Sequence, residues 1–157
     1  NMLKFEIPNR ETIQAEYLVL DYNGTLAIDG KLLPGIKEKL NSLADDIKIY
    51  VVTGDNFGNA RESLKEVRCE CIIVQEKIQQ QYKKEFVTKL NAAKVIAIGN
   101  GLNDALMLKE AALSMIVLQK EGASVKTLIN ADMVFSSVID ILDALDNPLR
   151  IAATLRS

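Results

Sequence analysis

The feature that most constrains this chain is a series of six short apolar runs, each three to six residues long. The runs begin at Tyr17, Ile47, Cys71, Lys94, Leu113 and Met133. Each is rich in Val, Ile, Leu or Met, and turn-forming residues lie between them. Near-continuous apolar runs, rather than strict alternation, are typical of strands that are buried on both faces of a parallel sheet.

Segments with helical spacing lie between these runs. Ile36, Leu40 and Leu43 form one apolar stripe after Pro34-Gly35. Further helical patterns are the stripe of Ile78, Tyr82, Phe86 and Leu90, the segments 105–112, 124–131 and 138–145, and a last short one after Asn147-Pro148. This alternation predicts an α/β fold with a doubly wound, mainly parallel, Rossmann-like sheet.

Two places depart from the alternation and are predicted to be hairpins. Residues 4–7 and 12–15 can pair around Asn9-Arg10, and Asp29-Gly30 between two apolar flanks is a strong signal for a tight turn. The second hairpin follows Asp21 closely, so we expect it to stand over the carboxyl edge of the sheet.

Composition and charge exclude several classes of protein. The net charge is −2 and the basic residues are scattered, while aromatic residues make up only 5%, which argues against a nucleic-acid partner. No apolar run approaches the roughly 18 residues of a membrane span, and no signal peptide is evident. We therefore expect a cytoplasmic protein with no membrane partner. We also expect one domain over residues 1–157, with Asn1 a remnant of an expression tag.

The chain has no histidine and only two cysteines. The absence of histidine excludes Ser-His and Cys-His nucleophile pairs and imidazole general bases. Cys69 and Cys71 are two positions apart, and we interpret them as small core residues rather than as a metal or redox site. Any chemistry must therefore depend on carboxylates, amides, hydroxyls and lysines.

Polar residues that could bind a ligand or take part in catalysis follow the predicted strands. Asp21 follows the first core strand, Thr53-Gly54-Asp55 follows the second, and the Gly-rich segment 99–104 follows the fourth. Ligands of open α/β sheets bind at the carboxyl ends of the strands. A carboxylate, a hydroxyl beside a glycine, and a lysine suit a phosphoryl group with Mg²⁺.

Each of these residues also has a purely structural interpretation. Asp21 can be a turn residue, Asp55 the N-cap of a helix, and Asp104 a first-turn residue that favours the helix dipole. Most lysines on helices are solvated. The order of the residues on successive strand ends is what favours a functional site.

These segments together resemble the haloacid dehalogenase superfamily. They are Asp-Tyr-Asn-Gly-Thr-Leu from Asp21, Val-Thr-Gly-Asp-Asn from Val52, a lysine before an apolar helical stripe, and Gly-Asn-Gly-Leu-Asn-Asp from Gly99. The likeness is greatest to the phosphorylation domain of heavy-metal P-type ATPases, and residues 121–135 look like a segment of those pumps as well. The pumps insert a nucleotide-binding domain between the first two motifs. Here Asp21 and Thr53 are only 32 positions apart. We therefore expect a free-standing member with no nucleotide-binding, cap or transmembrane domain.

The resemblance implies roles for individual residues. Asp21 would be the nucleophile that forms an aspartyl-phosphate, and Thr53 with the Gly54 amide would hold the phosphate. Lys83 would be the phosphate-binding lysine, with Lys77 as the fallback and Lys84 pointing further out. The Mg²⁺ ligands would come from Asp21, Asn23, Asn100 and Asp104, with Asn23 contributing its backbone carbonyl.

Two departures from the family pattern weaken the implied chemistry. Asn23 stands where the phosphatases carry a second Asp that acts as general acid and base, and an amide cannot titrate near neutral pH. Asn100 replaces an acidic Mg²⁺ ligand and removes one negative charge from the site. Both favour slow turnover and weakened metal binding.

The sequence therefore predicts a Mg²⁺-dependent phosphatase-like hydrolase that acts on a phosphomonoester and has attenuated activity. The alternative is a non-catalytic phosphate-binding or regulatory module related to the ATPase phosphorylation domain. A receiver domain of two-component signalling is a weaker alternative, because its acceptor Asp ends the third strand. The expected partners are a small or larger phosphorylated substrate and a second copy of the chain.

Overall fold

A six-stranded parallel sheet is the centre of the structure, a computed structural model that describes residues 2–75 and 77–157. The strands of the described residues are β1 (Leu3–Phe5), β2 (Ile13–Ala15), β3 (Tyr17–Leu20), β4 (Ala27–Ile28), β5 (Lys31–Leu32), β6 (Lys48–Thr53), β7 (Glu70–Ile73), β8 (Val95–Gly99), β9 (Leu113–Val117) and β10 (Met133–Phe135). The central sheet has the order β10-β9-β8-β3-β6-β7, and all its strand pairs are parallel. All six apolar runs are strands of this sheet, which confirms the predicted doubly wound fold.

Helices cover both faces of the sheet. They are α1 (Ile36–Leu43), α2 (Ala60–Ser63), α3 (Gln79–Leu90), α4 (Ala105–Glu110), α5 (Val125–Leu128), α6 (Val138–Leu145) and α7 (Pro148–Leu155). Leu18 and Leu20 of β3 pack into one apolar cluster with α1, α6 and α7, whereas Val19 packs into another with α3 and α4. Burial on both faces explains why the strands lack polar alternation.

The helix periodicity is confirmed in α1 and α6 and needs a correction in α3. Ile36, Leu40 and Leu43 are buried, as predicted. In α3 the fully buried residues are Lys83 and Val87, whereas Ile78 precedes the helix and is 72% exposed. The buried face of α3 is therefore centred on Lys83, which a count of apolar residues treats as a surface position.

The two predicted hairpins are present. β1 pairs with β2 and β4 with β5, both antiparallel. Asp29 and Gly30 both have positive φ, at 53° and 80°, as a tight type I′ turn requires. The hairpin β4-β5 is anchored by the Tyr22 hydroxyl, which donates to the Gly30 carbonyl at 3.0 Å.

Cys69 and Cys71 are free thiols that are half-buried against the larger apolar cluster. Burial and the neighbouring Cys71 raise the pKa of Cys69 to about 11, and burial also raises the pKa of Cys71. Both thiols are therefore protonated at neutral pH, which fits the predicted packing role. Among the described residues, no helix has the length and apolar character needed to cross a membrane. The cytoplasmic setting and the single-domain organisation stay predictions.

Candidate active site

Three neighbouring strands bring the predicted residues to one edge of the sheet. β3 lies between β8 and β6, and Leu20 is in register with Ile98 on one side and Val51 on the other. Because the strands are parallel, their carboxyl ends meet at the same edge. There Asp21, Asn23, Thr53, Gly54 and Asn100 line one pocket of about 280 Å³.

Lys83 lies directly beneath this pocket and is fully buried. Its Nζ donates to Asp21 Oδ1 at 3.1 Å and to Asp104 Oδ1 at 2.8 Å. A buried ammonium is stable only when it is paired and hydrogen-bonded, and here two carboxylates provide that pairing. Of the lysines weighed from the sequence, Lys83 is the one that the fold brings to Asp21; Lys77 is exposed and Lys84 is half-buried.

Asp104 is placed behind Lys83 rather than on the pocket wall. Its Oδ2 accepts hydrogen bonds from the backbone amides of Asn100 and Gly101, each at 3.1 Å, and its side chain is fully buried. Both carboxylate oxygens are thus engaged by protein donors. This geometry makes Asp104 a group that positions Lys83 and the Gly-rich turn. Its expected role as a direct Mg²⁺ ligand stays a prediction.

The charges of this cluster perturb one another. Burial and the Asp104 carboxylate raise the pKa of Asp21 to about 7, against the opposing effect of Lys83. Burial disfavours the charged form of Lys83, but the Asp104 and Asp21 carboxylates outweigh that effect and raise its pKa above the ordinary value. Strongly perturbed carboxyl groups in a cleft are characteristic of functional sites.

The loop after β3 is a tight turn that presents Asp21 to the pocket. The Tyr22 carbonyl accepts hydrogen bonds from the amides of Thr25, Leu26 and Ala27 at 2.9–3.2 Å. Gly24 has φ of +82°, and a Cβ there would collide with the Asn100 side chain. Glycine is therefore required at this position both for its left-handed backbone and for the close approach of Asn100.

Asn100 links this loop to the segment after β9. Its Oδ1 accepts from the Thr25 hydroxyl at 3.3 Å, and its Nδ2 donates to the Gly122 carbonyl at 3.0 Å. Gln119 makes a second link, since its Nε2 donates to the carbonyls of Gly24 at 3.2 Å and Thr25 at 3.0 Å. The loop of the candidate nucleophile is thus held by residues far along the chain.

Thr53 ends β6 with its side chain almost fully buried. Its Oγ1 accepts from the Asp55 amide at 3.0 Å, and its hydroxyl proton, which bonds to no other group of the described residues, can donate toward the pocket. The Asp55 carboxylate in turn accepts from the amides of Asn59 and Ala60, at 3.1 and 3.0 Å. The N-cap of α2 is Asn59, so the predicted N-cap position of Asp55 is wrong, although its carboxylate does accept from the first amides of the helix.

The donor atoms around Asp21 fit a hard cation. The Oδ1 atom of Asn23 is buried and has no hydrogen-bond partner among the described residues, although a buried acceptor is costly to leave unpaired. The Asp21 carboxylate and the Asn100 amide line the same pocket. No group of three His, Cys, Asp or Glu residues that could hold a metal occurs in the described part of the chain. The donor set beside Asp21 is therefore oxygen only, and Asp21 is the carboxylate among the predicted ligands on the pocket wall, which suits Mg²⁺ bound weakly.

Besides Gly101 and Leu102 of the Gly-rich segment, the pocket is lined by four polar residues to which the sequence assigned no role, two of them within the quoted motifs: Asn56, Gln79, Asn103 and Glu121. Carboxamides and a glutamate in loops look like ordinary surface residues, so composition gave no signal for them. Gln79 alone could have been found, because it lies four positions before Lys83 in a helical segment and so shares its face.

A larger groove of about 600 Å³ lies at the opposite edge of the sheet, where β3, β6 and β7 begin. Two ion pairs lie along it, Arg68 with Asp45 at 2.6 Å and Lys48 with Glu70 at 3.9 Å. None of the predicted site residues lines it.

Residues 3–112 match the family model of the haloacid dehalogenase-like hydrolases. The chain belongs to this family. The matched segment contains the candidate nucleophile, Thr53, Lys83 and Asp104, and it confirms the resemblance found in the motifs.

Relatives by sequence include both short proteins and large pumps. An uncharacterised protein of Methanocaldococcus jannaschii is 45% identical over 84 residues, covering 54% of this chain and 86% of the relative. The Probable copper-transporting ATPase HMA5 of Arabidopsis thaliana is 34% identical over 129 residues, covering 78% of this chain. The haloacid dehalogenase-like chain spans only 12% of that ATPase.

Solved structures confirm the fold. The 3-deoxy-D-manno-octulosonate 8-phosphate phosphatase of Moraxella catarrhalis, solved with magnesium, phosphate and a KDO molecule, superposes with a TM-score of 0.70. The match covers 90% of this chain and 94% of the phosphatase at 16% identity. At this identity the likeness establishes a shared architecture and leaves the substrate open.

Proposed function

We propose that this family member is a Mg²⁺-dependent phosphomonoester hydrolase that works through an aspartyl-phosphate on Asp21 and turns over slowly. The observation that carries the proposal is the buried Asp21–Lys83–Asp104 cluster beneath a pocket whose wall includes Thr53 and Gly54. A nucleophile, a paired cation and hydroxyl and amide donors at one strand edge suit phosphoryl transfer.

The first step places the Asp21 carboxylate against phosphorus. A carboxylate oxygen forms the new P–O bond while the ester P–O bond breaks and the alcohol leaves as an alkoxide that takes up a proton. The Lys83 ammonium, 3.1 Å from Asp21 Oδ1, favours the ionised nucleophile. The free proton of the Thr53 hydroxyl and the Gly54 amide can donate to phosphoryl oxygens.

Mg²⁺ would be held by the Asp21 carboxylate, the backbone carbonyl of Asn23 and the Asn100 amide oxygen, and when bound it neutralises charge on the phosphoryl oxygens. The role of Asp104 here is to hold Lys83 and the Gly-rich turn. Because one ligand is an amide where the family pattern has an acid, we expect weaker metal binding than an additional carboxylate would give.

The second step, attack of water on the aspartyl-phosphate, restores the Asp21 carboxylate and releases phosphate. Asn23 cannot protonate the leaving alkoxide or deprotonate this water, so both protons must be exchanged with solvent. General acid–base catalysis contributes typically about 10²–10⁴-fold, which is the loss we expect here.

The test is phosphate release from a panel of phosphomonoesters with and without Mg²⁺, with Asp21→Asn as the comparison. We expect slow, Mg²⁺-dependent release that Asp21→Asn abolishes. Equal rates for the two proteins would reject the hydrolase mechanism.

The second candidate is a module that holds phosphate or a long-lived aspartyl-phosphate without useful turnover. The observation that favours it is Asn23, which leaves no titratable group at that position. It predicts Mg²⁺-dependent binding of beryllofluoride with no phosphate release, and brisk turnover of any phosphomonoester would exclude it.

A further inference from the structure

Carboxamides form the outer wall of the pocket over Asp21. Asn56, Gln79 and Asn103, here called the carboxamide collar, line it together, and each comes from a different segment at the strand ends. Asn103 Nδ2 donates to Gln79 Oε1 at 2.8 Å. The Gln79 side chain lies so close over Gly54 that a Cβ at Gly54 would collide with its amide. The collar therefore stands beside the place proposed for the phosphate.

The collar can recognise hydroxyl groups. A carboxamide offers two N–H donors and a carbonyl acceptor, and a hydroxyl group both donates and accepts. The internal hydrogen bond uses one donor of Asn103 and the acceptor of Gln79. Gln79 Nε2 and Asn103 Oδ1, one donor group and one acceptor, bond to no other side chain or backbone group of the described residues and can face a ligand.

The rim of the pocket opposes a second negative charge. Glu121 lines it, and its Oε2 accepts from the Asp29 amide of the hairpin β4-β5 at 3.2 Å, which holds the carboxylate at the rim. Within the described part of the chain, no lysine or arginine lines this pocket. The buried Lys83 is already shared by two carboxylates. A carboxylate or a second phosphate on the far side of the substrate from Mg²⁺ would therefore meet repulsion from Glu121, with no lysine or arginine among the described lining residues to offset it.

The volume of the pocket and the side chains that line it favour a small substrate without an aromatic base. The pocket of about 280 Å³ is near the lower end of small-molecule sites. No aromatic side chain is among its described lining residues, although base recognition depends on stacking.

We propose that the substrate of the hydrolase described above is a small polyhydroxylated phosphomonoester with no second acidic group. Its hydroxyls bind the carboxamide collar, and Glu121 repels substrates that carry a second negative charge. This inference rests on the proposed function for the position of the phosphate. It also argues against an acidic sugar phosphate such as the octulosonate phosphate named for the Moraxella phosphatase.

Three ligands with the same three-carbon chain test it. Glycerol 3-phosphate carries two hydroxyls, 3-phosphoglycerate replaces one terminal hydroxymethyl by a carboxylate, and propyl phosphate has no hydroxyl. Dissociation constants are measured by calorimetry with Mg²⁺ on the Asp21→Asn protein, which does not depend on turnover. We expect glycerol 3-phosphate to bind at least about tenfold more tightly than either analogue. Propyl phosphate lacks the hydroxyls and leaves polar groups of the site unpaired, and the carboxylate of 3-phosphoglycerate is repelled by Glu121.

Added substitutions assign the selectivity. Glu121→Gln should reduce the preference over 3-phosphoglycerate severalfold, and Asn103→Leu should reduce the preference over propyl phosphate. Glu38→Gln, on the exposed face of α1, is the matched control and should change neither ratio. Equal binding of the three ligands, or ratios that Glu121→Gln and Asn103→Leu leave unchanged, would overturn the inference. Failure of the unsubstituted protein to form an aspartyl-phosphate would reject the hydrolase mechanism while these binding ratios still decide the ligand class.

Discussion

Replacement of Lys83 by methionine is the most informative test of the buried cluster. Lys83 is the cation that the structure places between Asp21 and Asp104, and its ammonium is within 3.1 Å of both carboxylates. Lys83→Met keeps the length of the side chain and leaves two buried carboxylates without that partner. Removal of one member of a buried ion pair typically costs about 3–5 kcal/mol.

The cost should depend on pH. Lys83 lowers the pKa of Asp21, so its removal raises that pKa further above about 7. Near pH 6 the variant can protonate Asp21 and relieve the repulsion from Asp104, whereas at pH 8 protonation is harder. We therefore expect a destabilisation of about 3–5 kcal/mol at pH 8 that is clearly smaller at pH 6.

The assay is thermal and urea unfolding in a chelating buffer at both pH values. For a domain of this size, about 3–5 kcal/mol corresponds to a Tm lower by roughly 6–20 °C. Lys84→Met is the matched control at the next position of α3, and we expect it to stay within about 0.5 kcal/mol of the unsubstituted protein. A Lys83→Met protein within about 1 kcal/mol of the parent at pH 8 would refute the electrostatic reasoning.

Three further predictions concern the same edge of the sheet. Burial and the Asp104 carboxylate raise the pKa of Asp21 from 3.8 to about 7. The protonated Asp21 carboxyl therefore contributes fully to the stability of the fold below pH 4, and this contribution is lost as the pH rises through 7. Asp21→Asn should then raise the free energy of unfolding of metal-free protein at pH 8 by up to about 4 kcal/mol, with no gain near pH 4 in urea titrations. Asn23→Asp restores a titratable group and should raise the phosphate release rate by about 10²–10⁴-fold, and an unchanged rate would contradict the acid–base explanation. Asn100→Asp replaces the donor to the Gly122 carbonyl by a carboxylate. It should lower Tm in chelator and tighten Mg²⁺ binding by calorimetry, and the same Mg²⁺ affinity as the parent would exclude Asn100 as a ligand.

The sheet could be predicted from the sequence because its strands are buried on both faces. Burial on both faces produces unbroken apolar runs, and runs such as 17–20 and 113–118 have few alternatives. The approach of Asp21, Thr53 and Asn100 also followed from sequence, since parallel strands place their carboxyl ends together. These parts of the site depend on topology alone.

The family resemblance singles out Lys83, but its full burial and the remaining contacts of the site depend on side-chain pairing, which no local pattern records. Lys83 is the centre of the buried face of α3 because two distant carboxylates neutralise it, one 62 and one 21 positions away. Asp104 matched a ligand motif, yet its oxygens are engaged by Lys83 and backbone amides. Glu121 reaches the pocket because the order of the strands sets the path of its loop. A glutamate in a loop does not by itself predict a position in a pocket.

The clamp made by Gln119 has a consequence for how the protein matures during synthesis. Gln119 holds the carbonyls of Gly24 and Thr25, 95 and 94 positions earlier, and its Oε1 accepts from the Val138 amide at the start of α6 at 2.9 Å. A nascent chain that ends near residue 112, the limit of the family match, has Asp21, Thr53, Lys83 and Asp104 but lacks this clamp. The loop that carries Asp21 therefore gains these hydrogen bonds only after β9 and the residues beyond it have left the ribosome, so the proposed competence for phosphorylation should appear as a late event of synthesis.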